Sequence, residues 1–335
     1  MKRLLTNVLL FHKDSEILKL LFNNIDYYKN VSRIIYSECK DYQDELVEKR
    51  NKINYMSLSE TLNIVKDFLM KINPEYPILL EELINNGVVN IYDITDEKKL
   101  KEYGDEAYYA IHNGNHTINI PLYHDINDAF IIVHEFMHYI VYLNGISVDG
   151  FLFTEAISIS HEMLFYDYLK QNKLYEEYLS SPIALRLLSI KDKSNAMLNV
   201  IKEYESERSK SFMLTTLEES SEKASKNFYD LSAIIIYLTG ETLAIQIYYY
   251  YKLGLITIED LQELIRLINN NEHLESLNLI FKSIPTTEDI LIIFPSLFFI
   301  IYGITFLVTL NVPIRFTSIT FLKSSGFILI NNISL

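Results

Sequence analysis

The chain has 335 residues, 44 acidic against 30 basic side chains, and a formal net charge of −14. That length can bury one large core or two smaller ones, and no Lys/Arg cluster is long enough to suggest nucleic-acid binding. A single cysteine, Cys39, excludes an intrachain disulfide framework or a Cys-rich zinc site and fits a reducing compartment.

The first residues, Met1 to Phe11, carry two basic side chains and a short apolar patch, interrupted by Thr6 and Asn7 and followed by His12-Lys13-Asp14 without a small-residue cleavage site. This reads as a cytoplasmic N-terminus rather than a signal peptide. Helical periodicity runs from Ser15 to Ser37. Ser57 with Glu60 forms a capping-box signature before Leu62, Val65, Leu69 and Ile72, and Asn73-Pro74 ends that helix. Residues 77–86 form a short helix stopped by Gly87, and Val88 to Tyr92 reads as a strand. Asn113-Gly114 is a hairpin signal joining 107–112 to 115–120. The free edge of such a hairpin can pair with an extended peptide. His112 and His116 on it read as surface or substrate-facing residues, and His116 and Asn119 are the substrate-binding candidates.

Next comes the most informative stretch, His134-Glu135-Phe136-Met137-His138. Residues four apart share a helix face, so both imidazoles can reach one metal ion, and Glu135 lies where it can activate a metal-bound water. The flanks, Phe130 to Val133 and Tyr139 to Tyr142, are apolar. Asp125 can cap this helix and Asn144-Gly145 supplies a stop, which predicts a largely buried helix of about twenty residues. Two histidines and a glutamate inside it are costly unless satisfied. A metal satisfies them directly; the alternative is a pair of core histidines bonded to carbonyls.

Zinc needs a third protein ligand and an open position for water. Thr154 can cap a second helix on which Glu155, Ser158 and Glu162 share one face, opposite the apolar Ala156, Ile159, Met163 and Leu164. Glu155 is the expected ligand, one zinc ion per chain the expected cofactor, and His161 the rival ligand. Manganese or cobalt could substitute for zinc. Glu162 can take a histidine N–H and so fix the ring's tautomer and orientation. Beyond it, Leu174 to Ser220 is largely polar, with an exposed Ser206-Glu207-Arg208-Ser209-Lys210-Ser211. Residues 226–252 form a long apolar helix ended by Gly254, and Thr257 caps the next one, carrying Ile258, Leu261, Leu264 and Ile265.

Residues 290–310 carry no charge and are long enough to span a bilayer. Three readings stand: a membrane anchor, a buried terminal segment, or an altered terminus. Residues 1–75 are expected to form a helical cap, 76–285 a catalytic region, and 286–335 an apolar tail.

His-Glu-Phe-Met-His, coupled to Glu155-Ala156-Ile157-Ser158 and Glu162, resembles the thimet oligopeptidase and oligoendopeptidase F family of zinc metallopeptidases. Glu81 to Tyr92, Tyr103 to Tyr108, and Asp128 six residues before His134 agree with that family too. So do Asn227-Phe228-Tyr229 and Tyr237-Leu238-Thr239-Gly240, and the similarity runs from about Ser57 to Ile265. The resemblance implies a mainly α, helical zincin-like fold with a small antiparallel sheet beside the motif helix. It implies an endopeptidase cutting internal bonds of short peptides in the cytoplasm. His134, His138 and Glu155 would hold the metal and Glu135 would be the catalytic base. Tyr237 and Tyr229 would stabilise the transition state, with Glu162, Ser158 and Asp128 supporting the ligands. Three departures stand out. The family's histidine before Phe228 is Asn227, the tyrosine two residues before Tyr237 is Ile235, and the loop between His138 and Glu155 is shorter. Much of the N-terminal channel wall is also lacking. These departures motivate two alternatives: a catalytically weakened peptide-binding relative, or a membrane-anchored protease using 290–310.

Overall fold

A computed structural model describes residues 29–30, 32–33, 36–37, 55–112, 114–142, 151–206, 221–272, 275–276 and 279, and strand pieces within 315–334. The predicted helix over Ser15 to Ser37 therefore lies mostly outside the described residues, as do Asn144-Gly145, Ser209 to Ser211 and the whole of 290–310. Among the described residues no helix is long and apolar enough to cross a membrane.

Helix α1 (Leu58–Ile72) begins as its sequence predicts. The Ser57 hydroxyl accepts from the Glu60 amide, and Glu60 returns a bond to the Ser57 amide. Its apolar stripe, Val65, Phe68, Leu69 and Ile72, is buried. Helix α2 (Tyr76–Asn85) follows, stopped by Gly87 at φ +69°, a left-handed conformation that glycine adopts without a Cβ penalty. Strand β1 is Val89–Asp93. The sequence reading passed over α3 (Glu97–Tyr103). Its local signal is present all the same: Asp96 caps it by accepting from the Lys98 and Lys99 amides, and Gly104 at φ +92° ends it.

The hairpin forms as expected. β2 (Tyr108–His112) pairs antiparallel with β3 (Asn115–Leu122), Ile111 facing His116, and Gly114 has φ +78°. The sheet, however, is mixed rather than antiparallel. Its order is β1-β3-β2, and β1 runs parallel to β3 with Val89 opposite Ile118. The helix α3 and strand β2 carry the chain back before β3 starts, so β3 repeats the direction of β1.

Four long helices pack together, the first of them against the sheet. They are α4 (Ile126–Tyr142), α5 (Phe151–Gln171), α6 (Pro182–Ser206) and α7 (Ser221–Lys252), with a shorter α8 (Ile258–Asn269) behind. α4 lies on β3 and β2 and packs against α5; α7 runs along α5 and also touches α6. Helix α8 starts with the predicted Thr257 cap, and Gly254 at φ +70° follows α7. Asn269 at the end of α8 donates to the Ile140 carbonyl, satisfying one of the last-turn carbonyls that α4 cannot bond internally. The core joins helices distant in sequence: Phe165 of α5 meets Phe68 of α1 and Phe130 of α4 at centroid distances of 5.1 and 4.9 Å. One core thus contains residues from both sides of the expected boundary at 75.

Helix α5 begins at Phe151, a turn earlier than a Thr154 cap would place it, so Thr154 is an interior, buried residue. Its hydroxyl pairs with Tyr142 at the end of α4. His161 is fully buried on the same helix. Its Nδ1 lies 2.8 Å from the Ile157 carbonyl, while Nε2 has no partner. Burial lowers its pKa to about 4, so the ring is neutral, donating from Nδ1. An unfolded histidine takes up a proton near pH 6.5, so this residue costs stability as pH falls from 6.5 towards 4. Denaturant unfolding should show His161→Gln losing about 2 kcal/mol less than the parent between pH 7.5 and 5; parallel pH profiles would contradict this.

Candidate metal centre

Helix α4 presents His134 and His138 one turn apart on the face that meets α5. Asp125 caps its start, accepting from the Asn127 amide at 2.7 Å. Asp128 is buried, and its two oxygens accept from the amides of Tyr123 and His124 at 3.0 and 2.7 Å. Its carboxylate is thus engaged with the loop that enters the helix rather than with either imidazole. It holds His124 at φ +61°, an unusual conformation for a residue with a Cβ.

Helix α5 lays Glu155 between the two imidazoles. Nε2 of His134 and of His138 are 3.0 Å apart, and the Glu155 oxygens lie 3.5 Å from the first and 3.4 Å from the second. Tetrahedral ligands about 2.0–2.1 Å from a zinc ion stand about 3.3 Å from one another. The three atoms therefore match the triangle that such an ion requires, and together they form a group that could hold a metal ion.

Two turns further along α5, Glu162 Oε1 lies 2.5 Å from His134 Nδ1. That contact places the proton on Nδ1 and turns the Nε2 lone pair towards Glu155 and His138. Burial works against a charge on His134, but the Glu162 bond and the charges of Glu162, Glu155 and Glu135 prevail and raise its pKa to about 9. Burial works equally against Glu155, yet both histidines and Arg186 bring it down to about 2.

Glu135, next to His134 in the chain, is not one of the three. It is buried, its Oε2 has no partner among the described residues, and burial raises its pKa. It lines a cleft of about 380 Å³ together with His134, Glu162, Arg186 and Tyr237, walled by Phe130, Ile131 and Leu185. Tyr237 is 38% exposed there, with the Lys193 ammonium 5.2 Å above its ring. Asn227, Tyr229 and Ile235 are on α7, but their side chains lie outside the described ones.

Other expected site residues sit elsewhere or do other work. His161 has its Nδ1 committed to Ile157 and is absent from the ligand triangle. Ser158 is buried with an unpartnered hydroxyl. His116 bonds the Tyr109 hydroxyl at 2.5 Å and packs edge-on against Tyr139. Tyr109 in turn stacks 6.4 Å from His138, so the pair backs one wall of the metal centre. Asn119 is 1% exposed and accepts from the Asn90 side chain at 3.2 Å across the parallel strands, which ties the sheet together instead of facing a substrate. The side chain of His112 is outside the described ones.

The sequence resemblance quotes Gly240 without a role and leaves Arg186 and Glu241 unmentioned. A Cβ on Gly240 would lie 2.5 Å from the Glu155 Cβ and 3.3 Å from the Ala156 nitrogen. α7 can therefore press against the ligand-bearing turn of α5 only because residue 240 has no side chain. Gly240→Ala should cost about 1–3 kcal/mol and weaken zinc binding, measured by thermal unfolding and chelator competition. Unchanged affinity and melting temperature would refute this account of the contact. Compared with known proteins, the chain matches no family model, no curated protein and no solved structure.

Proposed function

We propose that the protein is a zinc-dependent endopeptidase acting on short peptides. The observation that carries this reading is the convergence of His134, His138 and Glu155 beside an unpartnered Glu135 at the edge of an open cleft. The resemblance of the motif pair to oligoendopeptidase F and its relatives supports the substrate class, and the open cleft with apolar walls is compatible with an extended peptide.

Zinc held by His134, His138 and Glu155 would polarise the scissile carbonyl and lower the pKa of a bound water. Glu135, with its Oε2 unpartnered among the described residues and its pKa raised by burial, would take the proton from the attacking water and pass it to the leaving amine. Tyr237, on the same cleft, donates its hydroxyl to the developing oxyanion. Glu162 keeps the His134 ring in its ligating tautomer.

A second reading is a metal-bearing peptide-binding protein without turnover. It is favoured by Asn227 and Ile235, which stand where the family has a histidine and a tyrosine. Metal analysis and a quenched-peptide assay on the parent and Glu135→Gln separate the two. The endopeptidase reading expects one zinc per chain in both proteins and a 100- to 10,000-fold lower turnover in the variant, roughly the contribution of a general base. Equal cleavage by both would sink it. Zinc with no cleavage in the parent selects the binding reading. His138→Ala should lose zinc and cleavage together.

A further inference from the structure

Arg186 lies at the floor of the cleft but is engaged with protein rather than presented to a ligand. Its Nη2 donates to both oxygens of Glu162, at 2.9 and 2.8 Å, and its Nη1 donates to Glu241 Oε1 at 3.3 Å. Glu241 is fully buried on α7, where Ser189 donates at 2.8 Å and Lys193 at 3.1 and 3.3 Å. A continuous chain of contacts therefore links His134, Glu162, Arg186, Glu241 and Lys193. It takes its members from α4, α5, α6 and α7, and carboxylates alternate with cations along it.

The geometry of each link constrains the next. The His134 N–H engages only Glu162 Oε1, and one such bond leaves a carboxylate free to pivot about it. Arg186 bonds both oxygens from one side, which sets the carboxylate's position relative to α6. Because the guanidinium is a rigid planar donor, a lysine would supply the charge without that restraint. Glu241 anchors the other side of the guanidinium, and it is itself held by two residues one turn apart on α6.

Resting on the metal-centre reading above, we propose that Arg186, anchored by Glu241, is a positioning residue for the metal centre. It holds Glu162 where Glu162 aims the His134 Nε2 at the ion. Its role is not only to tie helices together, and the two roles have different consequences for metal affinity.

The test uses the full-length chain, zinc affinity by chelator competition, and the visible absorption of the Co²⁺ form as a report on ligand geometry. Four variants are compared with the parent: Arg186→Lys, Glu162→Gln, the two combined, and Leu80→Ala. Leu80 is a buried residue of α2 outside the network, and its variant serves as a destabilised control. Arg186→Lys should weaken zinc binding roughly tenfold, the scale of lost outer-shell partners, and shift the Co²⁺ bands. The double variant should bind no more weakly than Glu162→Gln, because both changes act through one carboxylate. Leu80→Ala should lower the melting temperature and leave affinity and spectrum unchanged. Parental affinity and spectrum in Arg186→Lys would reduce Arg186 to a helix tie and overturn the proposal. Additive losses in the double variant would also overturn it, since Arg186 would then act by another route. A parent chain that binds neither zinc nor cobalt would remove the metal-centre reading and this proposal with it.

Discussion

Burying carboxylates between packed helices is the constraint on which the rest of this structure depends. Glu135, Glu155, Glu162 and Glu241 are all largely withdrawn from solvent where α4, α5, α6 and α7 meet. Charges in such a place persist only when paired. Arg186 and Lys193 answer part of the negative charge. The two imidazoles, if neutral, answer none of it. Glu155, set between His134 and His138, is the carboxylate that a cation held by those three residues would pair.

The helix packing follows from the same requirement. For Glu155 to sit between two imidazoles of α4, α5 must approach α4 closely along the face opposite its apolar contacts. α7 closes in from behind at Gly240, where any side chain would collide with Glu155. Helix α8 bonds the last turn of α4 through Asn269. The loop before α4 is pinned by Asp128 and by His124, whose Nε2 contacts Asp93 at 2.7 Å. The motif helix is consequently held at both ends and along one face. The opposite face of the site opens into the cleft, where Glu135 is left without a partner. Rigid support on one side fixes the three ligand atoms while the other side leaves the site reachable.

Much of the local structure was legible along the chain because its causes are local. The Ser57–Glu60 and Thr257 caps, the stops at Gly87 and Gly254, and the turn at Gly114 depend on a few neighbouring residues. The ligand pair His134 and His138 is legible for the same reason: a spacing of four sets a shared helix face. Glu155 and Glu162 could be proposed because their own spacing puts them on one side of a second helix. Where the reading failed, a partner distant in sequence decided the outcome. Thr154 looked like a cap, but α5 extends back to Phe151 and Thr154 pairs with Tyr142. Asn119 looked available to a substrate, but the parallel alignment of β1 puts Asn90 opposite it. The resemblance implied an antiparallel sheet, but β3 lies between β1 and β2, and this order makes its pairing with β1 parallel.

The sequence by itself determined that two imidazoles and a glutamate would share a helix, that a second helix would carry two more carboxylates on one face, and where several elements start and stop. These follow from helical periodicity and capping, which act within a few residues. Only the tertiary structure decided that Glu155 lies between the imidazoles, that Glu162 takes the His134 N–H, and that Arg186 and Glu241 stand behind it. Those contacts join residues 17 to 55 positions apart. They exist because burying charge selects one mutual arrangement of four helices, and no local pattern encodes that choice.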